Sequence, residues 1–282
     1  LLAMNLVAIM VGTLTAGIGS VWLAAALSFG ILARYTQHML SLAAGALMAT
    51  AFMHLLPEAF ESRVEPHDLF LTLLLGLVFF FLLDKAELWH HGHEHHHGDE
   101  LPSHDHGHSH DHVHTHTNVQ GQAKSPDATA PRAAGSWAVL TGDSVHCFGD
   151  GVLIASAFMA DMRLGVIASL AVLAHEVPHH MGDLMVLRAG SSNRQAALLK
   201  VSLAGAVTAL GGLIGFWLVE QLQDFLPYFL VVASSSFIYV ALADLIPQLQ
   251  KRLTLLQTVA QVAWLGTGIA LVMLVSGMAH AH

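Results

Sequence analysis

Residues 164 to 187 read LGVIASLAVLAHEVPHHMGDLMVL. A run of 24 residues is the length of a helix that crosses a bilayer core of about 30 Å. Polar and apolar residues do not alternate along it, and a membrane-spanning strand needs only about 10 residues, so a helix rather than a barrel strand must satisfy its backbone. Yet its middle holds His175, Glu176, His179, His180 and Asp183. An acidic side chain at the centre of a membrane helix costs about 2.5 to 3.5 kcal/mol. Such a segment is stable in a membrane only if something inside the protein compensates for it.

The rest of the chain repeats the apolar pattern. Further long apolar stretches cover about 4 to 29, 38 to 59, 67 to 86, 135 to 160, 198 to 219, 226 to 248 and 256 to 278, which with 164 to 187 makes eight. Over all 282 residues, 54% are hydrophobic and 11% are charged, against about 25% charged in soluble domains. A water-soluble globule is thereby excluded. The first stretch is too long for a signal peptide, has no basic residue before it and lacks a clear cleavage site. The expected fold is an all-α polytopic membrane protein of eight transmembrane helices. It divides into residues 1–86 (helices one to three), 87–134 (a histidine-rich loop), 135–187 (helices four and five) and 188–282 (helices six to eight). A net charge of -9 with 11 basic residues offers no surface to nucleic acid. The single cysteine, Cys147, cannot form an intramolecular disulfide.

Lysine and arginine collect in cytoplasmic loops. Arg34, Lys85, Lys124, Arg132, Arg188, Arg194, Lys200, Lys251 and Arg252 fall in one set of loops, whereas only Arg63 and Arg163 fall in the other. The first set is therefore expected inside, with both termini outside and the long third loop cytoplasmic. That loop holds His90, His91, His93, His95, His96, His97, His104, His106, His108, His110, His112, His114 and His116, 13 of the 22 histidines. Its polar, Gly- and Pro-broken composition predicts disorder, and its spaced imidazoles predict a flexible ligand for metals such as zinc. A bacterial inner (cell) membrane is the expected location, because most loops and both termini are minimal and no targeting segment precedes the first stretch.

The fourth stretch contains GDSVHCFGDG, Gly142 to Gly151. Asp143, His146 and Asp150 recur at steps of three and four and share a helical face, as His175, Glu176, His179, His180 and Asp183 crowd another. Four carboxylates at mid-span, Asp143, Asp150, Glu176 and Asp183, would together cost roughly 10 kcal/mol against lipid. They must face one another, water or a cation. Carboxylates with imidazoles and a thiol are ligands for Zn²⁺ and its divalent neighbours, so a buried metal site accounts for every member of this set. Pro178 removes a backbone N–H beside them.

A weak internal repeat links the halves. The second stretch ends HLLPE (His54 to Glu58) and the seventh ends DLIPQ (Asp244 to Gln248), so stretches one to three are expected to mirror six to eight around a central pair, a 3+2+3 arrangement of inverted repeats. His54, Glu58 and Asp244 are candidate stations on a path to the centre.

At these residues the chain resembles the ZIP (Zrt/Irt-like) metal transporters, particularly those with histidine-rich loops. Their H-N-F-x-D-G motif stands here as His146-Cys147-Phe148-Gly149-Asp150-Gly151, and their H-E-x-P-H-E-x-G-D motif as His175-Glu176-Val177-Pro178-His179-His180-Met181-Gly182-Asp183. The resemblance implies movement of Zn²⁺, or of Fe²⁺, Mn²⁺ or Cd²⁺, toward the cytoplasm, with the lipid bilayer as surroundings and a homodimer as a candidate assembly; with it, His146, Cys147, Asp150, His175, Glu176 and His179 are the expected metal ligands and Asp143, His180 and Asp183 the auxiliary or relay groups. Cys147 departs from the family's asparagine and His180 from its second glutamate, and Gln248 stands where an acid is expected. Cys147 is either a soft ligand favouring Zn²⁺ or Cd²⁺ or a small buried filler. The missing acid at 180 favours one tightly held ion over two.

Three other classes compete. His175-Glu176-Val177-Pro178-His179 also fits H-E-x-x-H, in which two histidines hold zinc and the glutamate activates water, so an intramembrane metalloprotease is an alternative. Proline inside the motif argues against it. A zinc exporter of the cation-diffusion type shares the chemistry but has about six spans and a folded C-terminal domain. A metal sensor, the third class, is expected to carry an extramembrane output domain beside its spans. The expected protein is a transporter and not an enzyme.

Overall fold

A computed structural model describes residues 2–28, 36–92, 131–190, 193–249 and 254–280, and among them every regular element is helical. In chain order, α1 runs over Leu2–Leu14 and, through a π-turn at Thr15–Gly19, over Ser20–Ser28. α2 covers Thr36–Phe60 with a π-turn at Ala51–Leu55. α3 covers Pro66–Gly92, α4 Pro131–Ala160, α5 Met162–Gly190 and α6 Arg194–Gln221. α7 starts at Leu226–Tyr239 and passes through a π-turn at Val240–Leu245 into Ile246–Leu249, and α8 covers Leu255–His280.

The helix ends follow local chemistry. Asp161 Oδ1 accepts the backbone N–H groups of Arg163 and Leu164 at 2.8 and 3.3 Å, starting α5 one residue after α4 stops. Asn193 Oδ1 does the same for Gln195 and Ala196 in α6. Thr254 and Gln257 form a reciprocal capping box at α8: the Thr254 N–H donates to Gln257 Oε1 and the Gln257 N–H to Thr254 Oγ1. α3 and α4 outrun their apolar stretches. α3 continues through Ala-Glu-Leu-Trp, all compatible with helix, and α4 opens on Pro131, whose fixed φ suits a first helical position. His90 and His91 thus lie on the last turns of α3, while His93, His95, His96, His97, His104, His106, His108, His110, His112, His114 and His116 lie outside the described residues.

Among the described residues, six helical segments are long and apolar enough to cross a membrane: Leu2–Leu27, Thr36–Phe60, Pro66–Lys85, Gln195–Gln221, Gln223–Leu249 and Leu255–Gly277. α4 and α5 are as long, at 30 and 29 residues, but carry the carboxylates. They are compensated by position. α4 packs on α1, α5, α6 and α7, and α5 on α1, α2 and α4, so the polar strip faces protein. α3 and α8 occupy the rim and turn Phe70, Leu74, Leu75, Phe79 and Leu82, and Val259, Val262, Leu271 and Leu274, outward. Exposed apolar surface on this scale suits lipid rather than water.

Contacts sort the helices into two groups, α1/α4/α5/α6 and α2/α3/α7/α8, joined where α2 meets α5 and α7 meets α4. Within the first group the α4–α6 seam is the tightest. A Cβ on Gly151 would collide with the Thr208 carbonyl and one on Gly211 with the Phe148 carbonyl, so glycine is required for this approach of backbones. Between the groups lies an apolar cavity of about 560 Å³ lined by Leu23, Met39, Leu42, Leu173, Val177 and Trp264, among others, with His38 stacked on Trp264 at 5.7 Å.

The π-turns of α2 and α7 have a common cause. Each precedes a proline, Pro57 or Pro247, that cannot donate to the carbonyl one turn back. In each, the residue before the proline donates five residues back instead, Leu56 to the Ala51 carbonyl and Ile246 to the Ala241 carbonyl. A widened turn absorbs the lost hydrogen bond.

Candidate metal site

α4 and α5 meet along their polar faces. α5 remains helical through Pro178, which leaves the Ala174 carbonyl without its usual donor one turn on. Three overlapping groups of ligand-type atoms form on this seam, each with its atoms within 4.8 Å of one another.

The first group is His146, Asp150, His175 and Glu176. His146 Nε2 lies 3.3 Å from His175 Nε2 and 3.2 Å from Glu176 Oε1. His175 Nε2 lies 3.2 Å from Glu176 Oε1 and from Asp150 Oδ2, and His146 Nε2 is 3.8 Å from Asp150 Oδ2. A tetrahedral ion with bonds of about 2.0 to 2.2 Å holds its donors about 3.4 Å apart. The four side chains already stand at that spacing. Asp150 Oδ2 and Glu176 Oε1 are buried with no hydrogen-bond partner, so the atoms converge on a common point rather than pairing off. His175 Nδ1 lies 3.3 Å from the Ala171 carbonyl; an N–H there orients the ring and leaves Nε2 its lone pair for an ion.

The second group is Asp143, Cys147, Glu176 and His180, all buried. Glu176 is shared. Its Oε2 lies 2.9 Å from His180 Nε2 and 3.8 Å from Cys147 Sγ, and Cys147 Sγ is 3.7 Å from Asp143 Oδ1. The His180 contact lacks hydrogen-bond alignment, since neither ring nitrogen has a partner. One carboxylate therefore presents an oxygen to each group, the geometry by which it can bridge two ion positions. Fully buried Cys147 lies among ligand-type atoms at a spacing that suits a sulfur ligand, whose bond to zinc is about 2.3 Å.

The third group is Asp143, His179 and Asp183. His179 Nε2 lies 3.7 Å from Asp143 Oδ1 and 3.8 Å from Asp183 Oδ2. The His146 and His179 rings stand 5.6 Å apart and are the two partly solvent-open imidazoles of the strip, at 29% and 38% exposure, whereas Cys147, His175, Glu176 and His180 are sealed.

Of the expected ligands, His146, Asp150, His175 and Glu176 come together in one group and Cys147 joins Glu176 in the next, while His179 sits with Asp143 and Asp183. His180 and Asp143, expected as auxiliaries, stand among the ligand-type atoms of the second group. His54 is half-buried in the α2 π-turn and Glu58 is exposed one turn later; neither belongs to the three groups. Asp244 lies in the α7 π-turn. The paired π-turns escaped sequence reasoning, although the shared Leu-x-Pro pattern around Pro57 and Pro247 was their signal.

Comparison with known proteins agrees with this chemistry. Residues 1–276 match the family described as ZIP zinc transporter. Zinc transporter ZIP4 of Homo sapiens is 32% identical over 253 residues, covering 76% of this chain and 39% of that protein. Zinc transporter ZIP13 of Mus musculus is 27% identical over 282 residues, covering 85% of this chain and 70% of that protein. Zinc transporter ZIP10 of Homo sapiens is 36% identical over 115 residues, 40% of this chain and 14% of that protein. The chain spans about two fifths of the length of the ZIP4 relatives it matches.

Proposed function

The chain belongs to the ZIP zinc transporter family, and we propose that it carries Zn²⁺ across a membrane through the polar seam of α4 and α5. The observation that carries this reading is the first group: two imidazole nitrogens and two buried carboxylates at 3.2 to 3.8 Å, the spacing of a tetrahedral ion's donors. His146, Asp150, His175 and Glu176 hold the ion, with Cys147 and His179 as further ligands and Asp143, His180 and Asp183 as relay groups. His54, Glu58 and Asp244 are stations on the ion's path to and from this seam. Cd²⁺, Fe²⁺ and Mn²⁺ are secondary cargo.

In this reading α4 and α5 also span the bilayer, making eight spans in a 3+2+3 arrangement. Its support is the contact pattern. Exchanging α1 with α6, α2 with α7, α3 with α8 and α4 with α5 turns each major contact into another: α3–α7 into α8–α2, α1–α5 into α6–α4, and α2–α5 into α7–α4. The twin π-turns obey the same exchange. Both termini face outward, the histidine-rich loop is cytoplasmic, the cargo moves inward and the membrane is a bacterial inner membrane. The loop collects or senses the exiting ion, and a homodimer is the working assembly.

Transport proceeds by alternating access between the two helix groups. The entering ion must find neutral imidazoles and ionised carboxylates, so its binding displaces protons. Movement of α1/α4/α5/α6 against α2/α3/α7/α8 along the α2–α5 and α4–α7 seams then exposes it on the other side. A protease reading has less support: His175 and His179 fall in different groups, and Glu176 has both oxygens among ligand-type atoms.

The test is Zn²⁺ flux into proteoliposomes, with Glu176→Ala alongside and a membrane-peptide cleavage assay on the same preparation. Saturable flux lost in the variant is expected. Absent flux with Glu176-dependent cleavage turns the reading to a protease.

A further inference from the structure

The apolar cavity between the two helix groups lies apart from the polar seam. Leu23 of α1 and Leu170, Leu173 and Val177 of α5 wall it on one side, and Leu42 of α2 and Trp264 of α8 on the other. Leu170, Leu173 and Val177 recur at steps of three and four and form one stripe of α5, whereas His175, Glu176 and His179 belong to another. Val177 is 3% exposed and follows Glu176 in the chain. The deep wall of the cavity is therefore the reverse face of the turn that carries His175 and Glu176.

Its chemistry selects an occupant. Apart from the rings of His38 and Trp264, stacked at 5.7 Å, every lining side chain among the described residues is aliphatic or, in Met39, a thioether. Water needs about two to four polar partners, which such a wall does not supply. Leu23, Leu170 and Trp264 line the cavity and are also 44%, 46% and 40% exposed, so they form its mouth. Val166, one turn before Leu170, is 42% exposed. The mouth thus continues into the apolar outer surface, which in a membrane protein meets lipid hydrocarbon. An apolar cavity of about 150 Å³ takes one benzene, and at that ratio 560 Å³ takes on the order of 20 carbons, the size of a single lipid chain. His38 stands in the first turn of α2, at the end of a membrane helix, where amphipathic rings meet headgroups. Ring nitrogens near the helix end and a hydrocarbon wall beyond them repeat the polar-to-apolar order of a lipid.

We propose that this cavity seats one acyl chain of a membrane phospholipid, as a wedge between the two helix groups. The seat follows from the lining; its role as a wedge rests on the transport reading. A chain held here touches α1 and α5 of one group and α2 and α8 of the other, at the α2–α5 seam along which the groups move. The chain must slide or leave as that seam shifts. A lipid does so freely, but a bulky side chain fixed in the same place cannot, so it should slow the movement without altering the ligands on the opposite stripe of α5.

The experiment places the full chain in vesicles of phosphatidylethanolamine and phosphatidylglycerol with a phosphatidylcholine bearing a diazirine on one acyl chain. Adducts formed on irradiation are mapped by mass spectrometry, and Zn²⁺ flux is measured alongside. Adducts are expected at Leu173 and Val177 as well as at lipid-facing Leu74 and Phe79 of α3. Leu23→Trp and Leu170→Trp each fill the mouth from a different helix, so the test does not hang on the folding of one variant. Displacing even two methylenes of the chain should lower inner-wall labelling about 10-fold, with α3 labelling unchanged and saturated flux reduced by a similar factor at unchanged half-saturation. Labelling on α3 with none at Leu173 and Val177 would overturn the seat, as would inner-wall labelling undiminished in both variants. Lost labelling with wild-type flux would overturn the wedge. Inner-wall labelling in a wild type without saturable Zn²⁺ flux would overturn the transport reading and the wedge with it, and leave the seat standing.

Discussion

Replacing Glu176 by glutamine preserves the shape of the side chain and removes its charge at the point where two groups meet. Oε1 faces His146 and His175 at 3.2 Å, and Oε2 faces His180 at 2.9 Å. A glutamine can keep an oxygen on one side only; the other side receives an NH₂, which cannot ligate a metal. One group is therefore lost as a site and the other keeps a neutral ligand where it had an anion. Loss of a supporting group alone costs 10- to 100-fold in metal affinity, so loss of this shared ligand should cost at least about 100-fold. The assay is Zn²⁺-dependent thermal stability of the purified full chain. An ion at 100 times its Kd stabilises the native state by about 2.7 kcal/mol, and after a 100-fold loss of affinity the same concentration gives only about 0.4 kcal/mol. The zinc-free variant should be no less stable than the wild type, because a buried carboxylate that lacks its cation contributes little stability. An undiminished zinc-dependent shift in Glu176→Gln would refute the assignment of this carboxylate as the shared ligand. A large loss of stability without zinc would instead make Glu176 a structural group.

Three further outcomes are expected. Cys147→Ser should raise the half-saturating Cd²⁺ concentration at least about 10-fold and alter the Zn²⁺ value less, because sulfur contributes most to the softer ion; equal effects in competitive flux assays would leave Cys147 as filler. Gly151→Val should separate α4 from α6, since even a Cβ meets the Thr208 carbonyl and comes within 2.6 Å of the Gly212 nitrogen. Overpacking of this kind costs about 1 to 3 kcal/mol, and because Asp150 is adjacent, thermal stability and Zn²⁺ affinity should fall together. Removing residues 93–116 should leave saturable flux intact and change its response to internal zinc, measured as flux against preloaded metal; a dead transporter would give the loop a role in the path itself.

Much of this architecture was legible before any coordinates. Apolar run length located the helices, and the cost of mid-membrane carboxylates pointed to α4 and α5 as the pair that must be compensated from within. Boundaries were less legible. α3 and α4 extend beyond their apolar stretches because helix formation there depends on residues such as Pro131 and the run after Lys85 rather than on hydropathy. The π-turns stayed hidden because a proline's missing donor can be absorbed by a kink, a break or a widened turn, and only the neighbouring helices select among these.

The candidate site divides along the same physical line. Helical spacing places His175 with His179, Glu176 with His180 and His179 with Asp183, all four apart and all equally able to share a ligand. Within one helix nothing ranks these pairs. The choice is made by the rotation of α5 against α4, which is held in turn by the glycine seam between α4 and α6 and by the packing of α1 and α2 on α5. Composition and spacing were sufficient for a membrane protein with a buried seam of metal-ligand residue types, because solvation cost and helix period are local properties of a chain. Which carboxylate reaches two groups, which imidazole stays open and which groups overlap are relations between two helices, and these emerge only once both are packed.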